Sequence, residues 1–268
     1  MTWIIPIALM LIGFLFIIKG ADYLVDGASS LAKRLKIPEI VIGLTVVAFG
    51  TSAPELVVNV FASITKHSDI TLGNIIGSNI FNLLLILGIA AIVSPLFIQR
   101  QTVRVEIPFS LMATLFLMLV VNDVMIFHKY HDVLSRFEGI LFLLFFIIFF
   151  VYVFFILKTP SAGLDDIKIY PFWKTSLLLF LGLAGLFIGG RLIVDNGIII
   201  AHKLHISEKL IALTFISMGT SLPELATSVV AAVKKRYDIS VGNILGSNIF
   251  NIFFILGISA LINPISYD

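Results

Sequence analysis

One feature limits the folds open to this chain more than any other: a long stretch of its sequence occurs twice at a fixed offset. Residues from about 7 to 96 recur as about 176 to 265, so that Glu55 corresponds to Glu224. The same offset, without gaps, pairs further identical residues: Gly13 with Gly182, Asp26 with Asp195, Asn82 with Asn251, and Gly88 with Gly257. The two copies are therefore predicted to fold alike.

The composition places both copies in a lipid bilayer. Of the 268 residues, 59% are hydrophobic and 13% charged, and the mean hydropathy is +1.09, which excludes an ordinary soluble domain. The apolar runs are about 20–28 residues long, enough to cross a hydrocarbon core of roughly 30 Å as helices. They predict eight spans: about 3–30, 40–65, 70–96, 105–126, 137–157, 175–201, 208–233 and 239–263. The net charge of +2 gives no indication of a nucleic-acid partner.

The number of spans between the copies determines their relative orientation. Five predicted spans separate the two starts, and because five is odd, the copies must cross the membrane in opposite directions. This is the inverted-repeat plan of secondary transporters, whose substrate site lies near the midplane between the repeats. We therefore predict an all-α polytopic membrane protein with discontinuous helices. Its first repeat is 1–158 (five spans), its linker 159–174 and its second repeat 175–268 (three spans), so the last two helices of a five-plus-five plan are absent.

Lys and Arg residues predict the orientation in the membrane, because short cytoplasmic loops carry an excess of them. Eleven of the 18 lie on one side of the predicted spans and five on the other, while Lys19 and Arg191 lie inside spans. The eleven-charge side is predicted to be cytoplasmic, which places both termini outside a cell membrane. Asp22, Asp26 and Asp195 lie near span ends and are interpreted, like Lys19 and Arg191, as interfacial residues that pair locally or reach the headgroup region.

Each repeat carries a short polar cassette inside an apolar span: Gly50-Thr51-Ser52-Ala53-Pro54-Glu55, and Gly219-Thr220-Ser221-Leu222-Pro223-Glu224. A carboxylate at the centre of a span is costly and usually marks an ion or proton site. Pro54 and Pro223 deprive the carbonyls of Gly50 and Gly219 of a helical partner, so both helices are predicted to break near these glycines and to expose carbonyl oxygens. A purely structural alternative is a capping box, in which each serine and the glutamate three residues later cap a new helix.

A second cassette also occurs twice, as Gly73-Asn74-Ile75-Ile76-Gly77-Ser78-Asn79-Ile80-Phe81-Asn82 and Gly242-Asn243-Ile244-Leu245-Gly246-Ser247-Asn248-Ile249-Phe250-Asn251. Residues four apart share a helix face, so Asn74, Ser78 and Asn82 form one polar stripe, and the second copy forms another. Asn82 and Asn251 are predicted to face a bound ion. Asn79 and Asn248 lie off the stripe, where an interhelical hydrogen bond is as good an interpretation.

The two cassettes together offer only oxygen ligands. Carboxylates, hydroxyls, amide oxygens and carbonyls suit hard cations such as Ca²⁺ and disfavour transition metals. Two carboxylates neutralise one Ca²⁺ or can be shared by several Na⁺ ions, and an empty pair should take up H⁺ because desolvation and mutual repulsion oppose its charge. The sequence thus indicates bound, transported ions and no further cofactor.

With these motifs the sequence resembles the cation/Ca²⁺ exchanger superfamily, and specifically prokaryotic Na⁺/Ca²⁺ exchangers. The resemblance implies alternating-access exchange, in which Glu55 and Glu224 coordinate Ca²⁺ and also contact Na⁺. It further implies that spans one and six slide past the rest. By the same resemblance the ion sites are completed by Thr51, Ser52, Ser78, Thr220, Ser221 and Ser247, with backbone carbonyls near Ala48 and Ser217.

These observations favour a Na⁺/Ca²⁺ antiporter over three alternatives. An H⁺/Ca²⁺ antiporter would use the same glutamates. A polytopic membrane enzyme would need a nucleophile or metal centre, and the cassettes contain no His or Cys. A passive channel fits poorly with inverted repeats around a compact pair of carboxylates.

Overall fold

The computed structural model describes residues 3–122, 132–156, 168–204 and 217–267, and these are almost entirely helical. The helices of the first repeat are α1 (Ile4–Leu35), α2 (Glu39–Ile42), α3 (Ala48–Thr51), α4 (Ala53–Ile64), α5 (Ser68–Ile80), α6 (Leu87–Val93), α7 (Arg100–Arg104), α8 (Glu106–Val120) and α9 (Arg136–Ile156). Those of the second are α10 (Phe172–Lys203), α11 (Ser217–Thr220), α12 (Leu222–Val233), α13 (Tyr237–Ile249) and α14 (Gly257–Ile262).

Several of these helices are joined by π-helical segments, which the sequence analysis did not predict. They are π1 (Gly43–Val47), between α2 and α3, π2 (Phe81–Ile86), between α5 and α6, and π3 (Phe250–Leu256), between α13 and α14. Two short strands, β1 (Asp132–Leu134) and β2 (Ile265–Tyr267), pair antiparallel and tie the start of α9 to the end of the second repeat.

The described helices agree with the predicted polytopic architecture. Six helical stretches are long and apolar enough to span a membrane, and the bent pair formed by Glu39–Thr51 and Ala53–Ile64 supplies a seventh. The remaining predicted span, 208–233, is the seventh in chain order and is described only from residue 217, where it contains α11 and α12. Likewise, the predicted linker 159–174 is described only from residue 168, and α10 already begins at Phe172.

The ends of α4 and α12 show that the two repeats share local geometry. Lys66 and Lys235, which occupy equivalent positions in the two repeats, both adopt left-handed backbone conformations, with φ of 60° and 59°. In each case the next N–H bonds back to a carbonyl five residues earlier, as His67 does to Ala62 at 2.8 Å. This is the Schellman pattern of a helix C-terminus.

α1 and α10, the equivalent first helices of the two repeats, pack against each other through glycines. A Cβ atom on Gly20 would lie 2.8 Å from the Gly182 carbonyl oxygen, and one on Gly189 would lie 2.6 Å from the Gly13 carbonyl oxygen. No larger residue fits at these positions unless the helices move apart. Small residues allow such close approach of membrane helices, so α1 and α10 form one paired unit.

The two repeats differ in how far they are covered. In the most apolar stretch of α13–π3–α14, 83% of residues are buried, against 33% in the equivalent α5–π2–α6. α9 accounts for much of this difference, because it packs on α14 where a Cβ on Gly139 would lie 2.9 Å from the Gly257 carbonyl oxygen. The ring of Phe253 is fully buried and stacks on Phe145 of α9 at 5.5 Å.

Candidate functional site

The helix that carries each cassette breaks immediately before its glutamate-bearing turn. Ser52 alone separates α3 from α4, where the axis bends by 48°. Its φ and ψ are −84° and 7°, and Ser221 has nearly the same values, −90° and 5°. Pro54 and Pro223 lie in the first turn of the new helices, where a missing N–H leaves no hydrogen bond unmade. The sequences of both repeats therefore favour a helix break at this position.

The break at Ser52 agrees with the predicted break near Gly50, but the carbonyl oxygens beside it accept hydrogen bonds and are not free as predicted. N–H groups at the end of α3 bond to the carbonyl oxygens of Ala48 and Gly50, with the Ser52 N–H 3.0 Å from that of Ala48. Pro54 has no N–H to donate to the Gly50 carbonyl oxygen. The last turn of α3 tightens, so another N–H takes its place. The expectation of an exposed carbonyl at Gly50 was wrong for this reason.

The serines at the breaks contact the opposite repeat and do not cap their own helices. Neither Ser52 nor Ser221 makes a side-chain cap, so the capping-box interpretation was wrong. The Ser52 hydroxyl donates to Oε1 of Glu224 at 2.7 Å, and the Ser221 hydroxyl donates to Oε1 of Glu55 at 3.0 Å. Each carboxylate is therefore held by a hydroxyl from the other half of the molecule.

Serines of the second cassette complete the surroundings of the two carboxylates. The Ser78 hydroxyl lies 3.4 Å from Oε1 of Glu55, and the Ser247 hydroxyl 3.5 Å from Oε1 of Glu224. The Ser221 hydroxyl also lies 3.1 Å from that of Ser78. All of these side chains are fully buried, so water cannot solvate the carboxylates.

Four asparagines form two more links between the repeats. The Asn82 side-chain amide donates to Oδ1 of Asn248 at 2.9 Å, and that of Asn251 donates to Oδ1 of Asn79 at 3.0 Å. Asn79 and Asn248 thus make the interhelical hydrogen bonds that were one of their two interpretations. Asn82 and Asn251 are each the second residue of a π-helical segment, and such segments are frequent at functional sites.

Four oxygens at the centre of this network have no hydrogen-bond partner among the described residues. They are Oε2 of Glu55, Oε2 of Glu224, Oδ1 of Asn82 and Oδ1 of Asn251. A buried carboxylate oxygen without a partner is strongly destabilising unless a cation or a proton compensates it. Hard cations such as Ca²⁺ and Na⁺ bind oxygen ligands of this kind. The arrangement of these four oxygens therefore suits a cation.

The threonines of the first cassettes are held by asparagines that the sequence analysis did not include in the site. The Thr51 hydroxyl lies 3.0 Å from Oδ1 of Asn243, and the Thr220 hydroxyl 3.5 Å from Oδ1 of Asn74. The sequence placed both asparagines on the polar stripes but gave no reason to pair them with threonines of the other repeat. Such pairings depend on how the repeats pack and have no signal in residue spacing.

Ala48 and Ser217, the expected backbone ligands, lie just before the breaks in the two repeats. The Ala48 carbonyl oxygen accepts the Ser52 N–H and lies 3.3 Å from the Thr51 hydroxyl. Only a lone pair not used by these donors could bind a cation. Ser217 begins α11, one turn before Ser221.

A cavity of about 560 Å³ lies beside the two helix breaks. Arg191 and Asp195 of α10 line it, and so do Pro54, Gly219 and Thr220 of the two breaks. The cavity thus connects the first cassettes with the end of α10 that is predicted to be external.

Comparison with known proteins agrees with this geometry. Residues 5–155 and 174–268 match the sodium/calcium exchanger protein family. The chain is 40% identical to the inner membrane protein YrbG of Escherichia coli, covering 97% of this chain and 81% of that protein. It is 38% identical to the putative antiporter CaxA of Alkalimonas amylolytica (95% and 80%) and 35% identical to the sodium/calcium exchanger MaX1 of Methanosarcina acetivorans (96% and 83%).

The fold is also that of a solved exchanger. The sodium-calcium exchanger NCX_Mj, soaked with Na⁺ and Sr²⁺, superposes with a TM-score of 0.84 at 31% sequence identity, covering the whole of this chain and 86% of that chain. The predicted polytopic, inverted-repeat fold is thereby confirmed, as is the resemblance on which the exchanger prediction was based.

Proposed function

We propose that this chain, which belongs to the sodium/calcium exchanger protein family, is a secondary active antiporter that exchanges Na⁺ for Ca²⁺ across the cell membrane by alternating access. Family membership and the fold support the broader description, a multi-pass cation/Ca²⁺ antiporter and hence a transporter. The choice of Na⁺ as the counter-ion and the external position of the N-terminus belong to the proposal.

One observation carries the proposal: the unpartnered oxygens of Glu55 and Glu224 lie in a fully buried network formed by both repeats. Two carboxylates balance the charge of one Ca²⁺, and Asn82 and Asn251 add neutral oxygens. Thr51, Ser52, Ser78 and their equivalents supply hydroxyl oxygens. Because any transported cation must use this one set of ligands, Ca²⁺ and the counter-ion compete, which is the requirement for exchange.

The test is Ca²⁺ uptake into proteoliposomes under an imposed Na⁺ gradient or, separately, an imposed pH gradient. We expect an outward Na⁺ gradient to drive uptake in the wild type. Glu55→Gln and Glu224→Gln should each reduce uptake at least about tenfold, because removing one charge from a buried, compensated site costs several kcal/mol. Asp69→Asn, which neutralises an exposed carboxylate in the first turn of α5, should leave uptake unchanged.

The same assay separates the alternatives. Uptake driven by the pH gradient and indifferent to Na⁺ would identify an H⁺/Ca²⁺ antiporter. Uptake that ignores both gradients, or that persists in both glutamine variants, would contradict antiport through this site.

A further inference from the structure

We propose that Lys234, Asp22 and Asp26 form a latch that closes one end of the transport pathway and must open in every cycle. This end is the one predicted to face the cytoplasm. The proposal rests on alternating access through the site described above, and it assigns a role to three charged residues outside that site.

The latch joins two helices that belong to different parts of the molecule. The Lys234 ammonium, just after α12, lies 2.6 Å from Oδ1 of Asp22 and 2.6 Å from Oδ1 of Asp26, both on α1. It also donates to the Asp22 carbonyl oxygen at 3.1 Å, so all three of its N–H groups have acceptors. Although burial disfavours its charge, the hydrogen bonds and charges of Asp22 and Asp26 raise the pKa of Lys234. The sequence-based interpretation of Asp22 and Asp26, local pairing or contact with the headgroup region, is thus replaced by a contact between distant helices.

The equivalent positions in the other half of the molecule do not form such a link. The repeat offset places Arg191, Asp195 and Thr65 at the positions of Asp22, Asp26 and Lys234. Arg191 pairs with Asp195 of its own helix at 3.4 Å, which is one of the two interpretations that the sequence allowed. The Thr65 hydroxyl donates to the Phe61 carbonyl oxygen of its own helix. The latch is therefore found in one half of the molecule and is not a consequence of the repeated sequence.

The two ends also differ in their cavities, and the smaller cavity is at the end that has the latch. At the end without the latch, the 560 Å³ cavity reaches Gly219 and Thr220. At the latch end, the equivalent space between α1 and α12 measures about 290 Å³ and is lined by apolar side chains such as Ile17, Leu222 and Val229. Opening this side requires α1 to separate from α12, and the contacts of Lys234 cross that seam.

α1 cannot make this movement alone, because glycine contacts hold it tightly to α10. Movement of the α1–α10 pair relative to α12 breaks both ion pairs at once. Removing the Lys234 charge should therefore shift the population towards the state that is open at the latch end, since it removes contacts made only in the closed state.

The chain contains no cysteine, so single cysteines can report access to each cavity without background. Val57 lines the larger cavity and Ala226, its equivalent in the second repeat, lines the smaller one. In detergent solution without Na⁺ or Ca²⁺ and at one fixed pH, Lys234→Met should raise the rate at which a water-soluble thiol reagent modifies Ala226→Cys about tenfold and should slow modification of Val57→Cys. Lys235→Met, which alters the exposed neighbouring residue, should change neither rate.

Three results decide the proposal. Unchanged rates in Lys234→Met would overturn it, and so would faster modification of both cysteines, which would indicate general loosening. Restoration of the wild-type rates in the charge-exchanged pair Lys234→Asp with Asp26→Lys would support it. Because the assay measures access to each cavity and not transport, its outcome does not depend on whether Na⁺ or H⁺ drives Ca²⁺ uptake.

Discussion

At the scale of single residues, the site is organised by hydrogen bonds between the repeats. Residue spacing singled out polar side chains that the structure brings into one hydrogen-bonded network, because the cassettes place them at fixed intervals on helices. It could not indicate that the Ser52 hydroxyl bonds to Glu224, which is far away in the sequence. The same motif is equally compatible with a local capping box. Packing of the repeats decides between the two, and the motif contains no information about that packing.

Asn243 offers a test of this crossed arrangement at one side chain. It is fully buried, its Oδ1 lies 3.0 Å from the Thr51 hydroxyl, and its amide donates to the Ser228 hydroxyl at 3.0 Å. If Asn243 orients Thr51 as an ion ligand, Asn243→Ala should raise the KM for Ca²⁺ about three- to tenfold, the equivalent of one hydrogen bond of roughly 0.5–1.5 kcal/mol.

The KM for Ca²⁺ uptake should show this coupling in a double-mutant cycle. Asn243→Ala should have little further effect in a Thr51→Ala background, because both changes remove the same interaction. Asn196→Ala, in which a buried asparagine of α10 loses only a bond to the Leu192 carbonyl oxygen, serves as the control. Simple additivity of the Asn243 and Thr51 effects would show that Asn243 does not act through Thr51.

At the scale of helices, apolar run lengths predicted the positions of the spans well. Proline chemistry predicted that the cassette helices break near Gly50 and Gly219, and the breaks lie at Ser52 and Ser221. It did not predict that the last turn of α3 tightens and supplies a donor to the Gly50 carbonyl oxygen. The π-helical segments around Asn82 and Asn251 were not predicted at all. A π turn requires one extra residue to be accommodated by neighbouring helices, and that depends on packing and not on local preference.

The glycine contacts between α1 and α10 give a prediction at this scale. Gly20→Ala should destabilise the protein by about 1–3 kcal/mol, because the new Cβ would lie 2.8 Å from the Gly182 carbonyl oxygen. Gly88→Ala introduces the same methyl group where no described atom lies within 4 Å, so it should be neutral or stabilising by up to about 1 kcal/mol through helix propensity. Unfolding in detergent, followed by circular dichroism, measures both, and equal effects of the two changes would contradict the close-packed pair.

At the scale of the whole molecule, the inverted repeat determines the architecture, and differences between the two repeats determine how far each half is covered and how large its cavity is. The constant offset between the copies and an odd number of spans were enough to predict two opposed halves with a shared site. They gave no indication that α9 covers α14, or that one cavity is larger than its equivalent. The cover over α14 arises from contacts made by residues outside the repeated cassettes, such as Gly139.

The central claim is that both repeats build one cation site, and equilibrium Ca²⁺ binding to the purified protein tests it most directly. Isothermal titration calorimetry in Na⁺-free detergent solution should give one Ca²⁺ per chain for the wild type and for Asp69→Asn. Glu55→Gln and Glu224→Gln should each abolish that binding, since the two carboxylates serve the same ion. Two Ca²⁺ ions per wild-type chain, with each glutamine variant losing only one, would contradict a shared site.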